Sequence, residues 1–172
     1  MKSKKVLCNI LYTWIKYSPD YLSEIGDRMF DQYFDLDLLQ CSKDEVFVDV
    51  GAYHGDTALS FIQNFYHYKK IYCYEVFEKN MEVCKNNLNA FPNIVYRECA
   101  VGKENGIAYL NISEDDSACT ISYNPNKIIG KDIVSLDEDI KEIISFLKID
   151  IEGGEYNALL GAREHIKKII LN

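Results

Sequence analysis

In the segment Lys148-Ile149-Asp150-Ile151-Glu152-Gly153-Gly154-Glu155, two carboxylates stand two residues apart where an apolar run gives way to a glycine pair. In extended backbone, side chains at that spacing point the same way. The carboxyl end of a strand is the edge where open α/β sheets bind ligands, and a carboxylate there can move or orient a proton. Asp150 is therefore the first candidate for a catalytic carboxylate, and Glu152 the second. Glu155 sits where a helix N-terminus favours negative charge, so a capping role competes with a chemical one. A second chemical cluster comes earlier, in Val46-Phe47-Val48-Asp49-Val50-Gly51-Ala52-Tyr53-His54-Gly55-Asp56. Here a short β-branched and aromatic run enters a glycine turn closed by Asp56, an acid able to cap the next helix. His54, placed by that turn, is a third catalytic candidate, although it reads more simply as a turn residue; His67 and His165 lie in ordinary polar contexts.

The glycine spacing narrows the ligand. A dinucleotide fingerprint needs G-x-G-x-x-G so that backbone amides at a helix N-terminus can meet a pyrophosphate. In this chain Gly51 and Gly55 are separated by three residues, with Tyr53 where the middle glycine would stand. No Gly-Lys-Ser/Thr follows, so a Walker loop does not fit either. Glu75 ends the run Lys70-Ile71-Tyr72-Cys73-Tyr74, about one βαβ unit downstream, where an acid suits ribose hydroxyls. A nucleoside ligand without a pyrophosphate fits this set best.

The elements that must position these residues follow from periodicity. Ala58, Phe61, Ile62 and Phe65 recur at the spacing of a core-facing helix, as do Phe77, Met81, Cys84, Leu88 and Phe91, a stripe ended by Pro92. A third strand is expected over Ile94 to Val101, an antiparallel addition over Ile107 to Ile112, and a fourth strand over Phe146 to Ile151. A helix carrying Tyr156, Leu159, Leu160 and Ala162 comes next. From Glu45 onward strands and helices alternate, the signature of a parallel α/β sheet. The polar stretch Ser113 to Lys131 interrupts the pattern, and loops of that length are often functional. Residues 1–44 read as a helical extension packed on the core, with Ser18-Pro19-Asp20 opening a helix whose face is Tyr21, Leu22, Ile25, Met29 and Phe30. Asp31, Asp35 and Asp37 read as a solvated face rather than a metal site.

Composition excludes several classes. A chain of 172 residues with 48% hydrophobic and 13% aromatic residues can bury one sizeable core. Its net charge of −8 argues against a nucleic-acid binder. The six cysteines form no C-x-x-C pair and no metal spacing with the three histidines, and read as reduced thiols. Lys2, Lys4 and Lys5 precede the apolar run Val6 to Ile15, but Asn9 and Thr13 interrupt it and no small-residue cleavage site follows. The run is also too short to span a bilayer. A cytoplasmic location is the expectation.

Taken together, Val48-Asp49-Val50-Gly51-Ala52 through Gly55-Asp56-Thr57, Ser135-Leu136-Asp137 and the block Lys148 to Glu155 resemble the FkbM family of S-adenosylmethionine-dependent methyltransferases. The resemblance covers roughly Glu45 to Ala162. It implies a Rossmann-like class I methyltransferase fold over residues 45–172, a mostly parallel sheet flanked by helices. It also implies S-adenosylmethionine, a nucleoside without a pyrophosphate, as cofactor. By that similarity Gly51, Ala52, Tyr53, His54, Gly55 and Asp56 would hold the methionine portion, with Asp49 supporting the turn. Glu75 would accept hydrogen bonds from the ribose hydroxyls, Cys99 and Ala100 would border the adenine, and Asp150 would lie near the sulfonium and the acceptor. Asp115-Asp116-Ser117 fall where the family often has a serine near cofactor or substrate. Where the family commonly has proline after the ribose acid, this chain has Val76-Phe77.

The implied reaction is O-methylation of a sugar or natural-product hydroxyl, so the partner is a small-molecule or glycan acceptor. Ile169-Ile170-Leu171-Asn172 reads as the start of a fifth strand, which leaves the last strands of the usual sheet unrepresented. A homo-oligomer or another partner would then cover the open edge. That shortness also sustains a second reading, a cofactor-binding domain without turnover. A nicotinamide-dependent oxidoreductase is a third, weakened by the missing middle glycine.

Overall fold

The computed structural model describes residues 2–23, 33–34, 43–112, 119–121 and 129–171. Its frame is a parallel sheet of four strands: β1 (Val46–Val50), β2 (Lys70–Tyr74), β3 (Ile94–Arg97) and β8 (Phe146–Ile149), in the order β3-β2-β1-β8. Every residue of β1 is buried, as a continuous apolar run requires when both faces of a strand are covered. Pleating divides its side chains between two cores. Val46, Val48 and Val50 pack with Leu136, Ile140, Ile144 and Ala158 on one face. Phe47 packs on the other, against Ala58, Phe61, Met81, Cys84 and Leu88.

The helices follow the spacings read from the sequence. Helix α3 (Asp56–Asn64) buries Ala58, Phe61 and Ile62, and α4 (Glu78–Leu88) buries Met81, Cys84 and Leu88. The latter stops at Leu88, ahead of Pro92. Cys73 and Cys84 are free and buried in this core, where they act as small hydrophobes. On the other face lie α5 (Leu136–Asp139), α6 (Glu155–Gly161) and α7 (Arg163–Leu171).

Five expectations are corrected. The run Ile94 to Val101 is not one strand: β3 ends at Arg97, and Ala100–Val101 form β4 in a second sheet. That sheet has the order β4-β7-β5-β6, with β5 (Gly106–Ile112), β6 (Cys119–Ile121) and β7 (Ile129–Val134). Strand β5 is antiparallel to β6 and β7, so the expected antiparallel addition exists but joins this second sheet. The polar stretch from Ser113 to Lys131 thus contains strand; Asp115, Asp116 and Ser117 lie outside the described residues, as do Asp31, Asp35 and Asp37. Finally, Ile169 to Leu171 end α7 rather than start a fifth strand. The Asp137 carboxylate captures the helix's first amides, accepting from Glu164 at 3.0 Å and His165 at 3.1 Å. His165 is buried, its Nε2 3.3 Å from the Leu136 carbonyl oxygen, rather than in a polar context.

At the N-terminus, α1 (Lys2–Lys16) and the short α2 (Asp20–Ser23) pack on one another. Ser18 Oγ accepts the Asp20 amide at 3.3 Å, as its place before α2 predicts. Further along, Phe34 is buried in a nest of rings, 5.5 Å from Phe61 and 6.0 Å from Phe47 by centroid, both edge-on. Such edge-to-face contacts add to the area each ring hides. Phe34→Ala is expected to lower the unfolding free energy by about 3 to 5 kcal/mol in urea titrations.

Candidate functional site

Strand order makes β1 the pivot of the sheet. The chain runs outward from β1 to β2 and β3, then returns to β8 on β1's other side. Open α/β sheets bind ligands in the crevice outside the carboxyl ends at such a switch point. Both sequence clusters arrive there, the glycine turn from the end of β1 and the carboxylate pair from the end of β8.

The turn is shaped by left-handed backbone at Gly51 (φ 78°), Tyr53 (φ 49°) and Gly55 (φ 83°). A Cβ at Gly51 would collide with the Asp150 carbonyl oxygen, so only glycine lets the ends of β1 and β8 lie this close. The Asp150 amide donates to the Val50 carbonyl at 3.0 Å across the same gap. At Gly55 a Cβ would press on Cys84 Sγ and Leu88 of α4 at 3.0 Å. Gly55, not Asp56, occupies the cap position of α3, and Asp56 stands in the helix's first turn. Its charge still favours that end of the helix.

Glu75, buried just past β2, ties this turn to the next loop. Its Oε2 accepts the Tyr53 amide at 2.9 Å and its Oε1 the Phe77 amide at 2.9 Å. The residue that replaces the dinucleotide glycine thus supplies a hydrogen bond that fixes the acid. Tyr53 is half exposed and its ring stacks on His54 at 3.7 Å between centroids. The His54 carbonyl accepts from Asn87 Nδ2 at 2.9 Å, a turn-fixing contact.

Beneath the turn, Asp49 is fully buried in mid-sheet register with Lys148. The Lys148 ammonium lies 3.1 Å from Asp49 Oδ1 and donates to the Gly51 carbonyl at 2.7 Å. Burial raises the Asp49 pKa to about 6; the ammonium opposes the rise, and Asp56 and Glu75 reinforce it. Lys148 thus pairs with Asp49 rather than with the nearby Asp150, and the signal in the sequence was a lysine inside an apolar strand.

Asp150 and Glu152 are exposed, Glu152 in left-handed backbone at φ 52°. Glu155 closes their loop: its Oε1 accepts the Gly153 amide at 3.1 Å and the Ile151 amide at 3.2 Å, so it fastens the turn ahead of α6, whose cap position is Gly154. Facing Asp150 is Tyr33, a residue that no spacing in the sequence marks. Burial and the neighbouring Asp150 and Asp49 carboxylates raise its hydroxyl pKa, against the pull of Lys148. On the other flank Cys99 is buried, which pushes its thiol up to about 11, and Ala100 opens β4. Next to them Asp139 Oδ2 accepts from Tyr74 at 2.6 Å and from Arg97 Nε at 3.0 Å, a tie between β2 and β3 that the sequence did not reveal.

Three comparisons bear on this arrangement. The Methyltransferase FkbM domain family matches residues 49–171. A crystal structure of Methyltransferase FkbM from Methylobacillus flagellatus KT superposes with a TM-score of 0.70 at 24% sequence identity. That likeness covers 93% of this chain and 40% of the other, so the chain spans less than half the length of that protein, and at this identity it establishes the fold. No curated protein matches the chain.

Asp49 titrates inside the fold, and its sign is set by burial. Its folded pKa lies above the ordinary carboxylate value, so its contribution to stability is fullest below pH 4 and is lost as pH rises through about 6. Urea titrations should show stability falling by roughly 3 kcal/mol across that window. The fall should be absent in Asp49→Asn.

Proposed function

The chain belongs to the FkbM methyltransferase family, and from that premise we propose that it binds S-adenosylmethionine at the carboxyl ends of β1 and β2 and methylates a hydroxyl of a sugar or natural-product acceptor. The observation that carries the reading is Glu75. Each of its carboxylate oxygens accepts one backbone amide, which holds the group rigid, and each keeps a lone pair for a ribose hydroxyl. A buried acid so prepared beside a turn without the pyrophosphate glycine fits a nucleoside ligand. When bound, the cofactor would supply an electrophilic methyl carbon for in-line displacement.

The chain's residues divide the remaining work. Gly51 to Asp56 would cradle the methionine end, with Asp49 and Lys148 fixing the turn from below. Cys99 and Ala100 would border the adenine. Asp150, exposed at the mouth of the crevice, would orient the acceptor hydroxyl and take its proton, with Tyr33 holding the carboxylate and Glu152 next in line. Such a reaction depends mainly on positioning, with the acceptor oxygen held roughly 3 Å from the carbon it attacks. In this reading residues 45–172 form the cofactor-binding domain. Residues 1–44 would be an extension of it, from which Phe34 enters the core and brings Tyr33 to Asp150.

Calorimetry with S-adenosylmethionine, S-adenosylhomocysteine and NAD tests the ligand. The first two should bind; Glu75→Ala should weaken them by about ten- to a hundredfold for the lost charged hydrogen bonds. Binding of NAD alone would overturn the reading. Methyl transfer from labelled cofactor onto candidate glycans tests the chemistry: Asp150→Asn should slow transfer by about a hundredfold or more with cofactor affinity kept. Unchanged transfer would remove Asp150 from its role.

A further inference from the structure

Asp49 is buried with little to hold it charged. Its side chain is wholly enclosed on an interior strand of the parallel sheet, two residues before the turn that Gly51 opens. Among the described residues no amide or hydroxyl donates to either of its carboxylate oxygens in hydrogen-bond geometry. The cation beside it is the Lys148 ammonium, 3.1 Å from Oδ1, and that ammonium already gives a hydrogen bond to the Gly51 carbonyl. A buried carboxylate with one shared cation is poised between its two protonation states.

The groups around it come from every neighbouring element. Lys148 reaches it from β8 and Asp56 from α3; Glu75 stands past the end of β2, and the Tyr33 hydroxyl lies on the side of Asp150. Cys73, its register partner on β2, is a thiol kept protonated by its hydrogen bond with Cys84 and by burial. Asp49, Asp56 and Glu75 thus face one ammonium. Burial places the Asp49 titration at about 6, where a single added charge decides its state.

The two forms of the proposed cofactor differ by such a charge. S-adenosylmethionine and S-adenosylhomocysteine share the adenosine, the ammonium and the carboxylate; they differ by one methyl group and by one positive charge, on sulfur. A pocket that recognised shape alone would distinguish them by the methyl contact at every pH. A titrating carboxylate beneath the turn distinguishes them by charge, because a sulfonium favours ionised Asp49 and a neutral thioether does not. Resting on the cofactor reading of this site, we propose that Asp49 is a specificity-determining residue: it gives up its proton when S-adenosylmethionine binds, so the site holds the charged cofactor in preference to its neutral product. Linkage sets the direction. The complex with S-adenosylmethionine binds fewer protons than the free chain, so its affinity rises with pH through about 6 and levels off above; the complex with S-adenosylhomocysteine keeps nearly the free chain's protonation, and its affinity changes little.

Titration calorimetry on the 172-residue chain reads this directly. Between pH 5 and 7 the affinity for S-adenosylmethionine should rise about fivefold, and that for S-adenosylhomocysteine by less than about twofold. At pH 6, heats compared between phosphate and Bis-Tris buffers should show release of about four tenths of a proton with the first ligand and about one tenth or less with the second. Asp49→Asn should flatten the rise and remove the release. Because that variant leaves Lys148 without its carboxylate, a chain labelled with carbon-13 aspartate supplies a measurement on the unaltered protein. The carboxyl resonance that titrates at about 6 should titrate lower with S-adenosylmethionine present and at about 6 with S-adenosylhomocysteine. Parallel pH profiles for the two ligands, binding of S-adenosylmethionine without proton release, or a release retained in folded Asp49→Asn would each overturn the proposal and leave the cofactor reading standing. Binding of neither ligand would overturn both.

Discussion

The buried ion pair of Asp49 and Lys148 is the contact on which the carboxyl edge of the sheet depends. It joins β1 to β8 at the switch point, and the same ammonium holds the Gly51 carbonyl. One side chain thereby fixes both the strand junction and the first peptide of the turn. Stability does not explain such a pair, since two charges taken from water are expensive and well-packed apolar residues often do as well or better. Removing either partner alone is another matter, because the survivor is left charged in the core. The edge has accepted an electrostatic constraint at the place where a ligand would meet it.

A second constraint reaches that edge from outside the family match. Phe34 fills the ring cluster formed by Phe47, Phe61, Phe65 and Phe146, and its neighbour Tyr33 is thereby set against Asp150. The anchor is apolar and the delivered group polar, so packing energy brings to Asp150 a hydroxyl that can hydrogen-bond its carboxylate. Interdigitated cores transmit such placement well because they leave little room to shift.

The parts legible in the sequence were those governed by local periodicity. The buried runs of β1 and β2, the stripes of α3 and α4 and the glycine turn all announce themselves within a few residues. What failed needed information from afar. Ile94 to Val101 reads as one strand because alternation says nothing about which sheet a strand joins, and the chain changes partner between Arg97 and Ala100. Ile169 to Leu171 look like strand by composition, yet α7 is started by Asp137, a carboxylate more than twenty residues earlier. Lys148 was visible but its partner was not, since register decides whether a lysine faces Asp49 or Asp150. Tyr33 carries no local signal at all.

Electrostatics adds an argument that glycine spacing alone could not make. Asp56 and Glu75 both raise the Asp49 pKa, and Lys148 is the cation that opposes them there. The turn is therefore short of positive charge. A pyrophosphate brought to it would push Asp49 further toward its neutral form and would meet Glu75 as a like charge. A ligand bearing a sulfonium and an ammonium would do the reverse, favouring the ionised form of Asp49. The same carboxylates that tax the folded apo-protein would then become part of what holds the ligand, so the missing middle glycine and the acidic surroundings favour the same class of nucleoside for independent physical reasons.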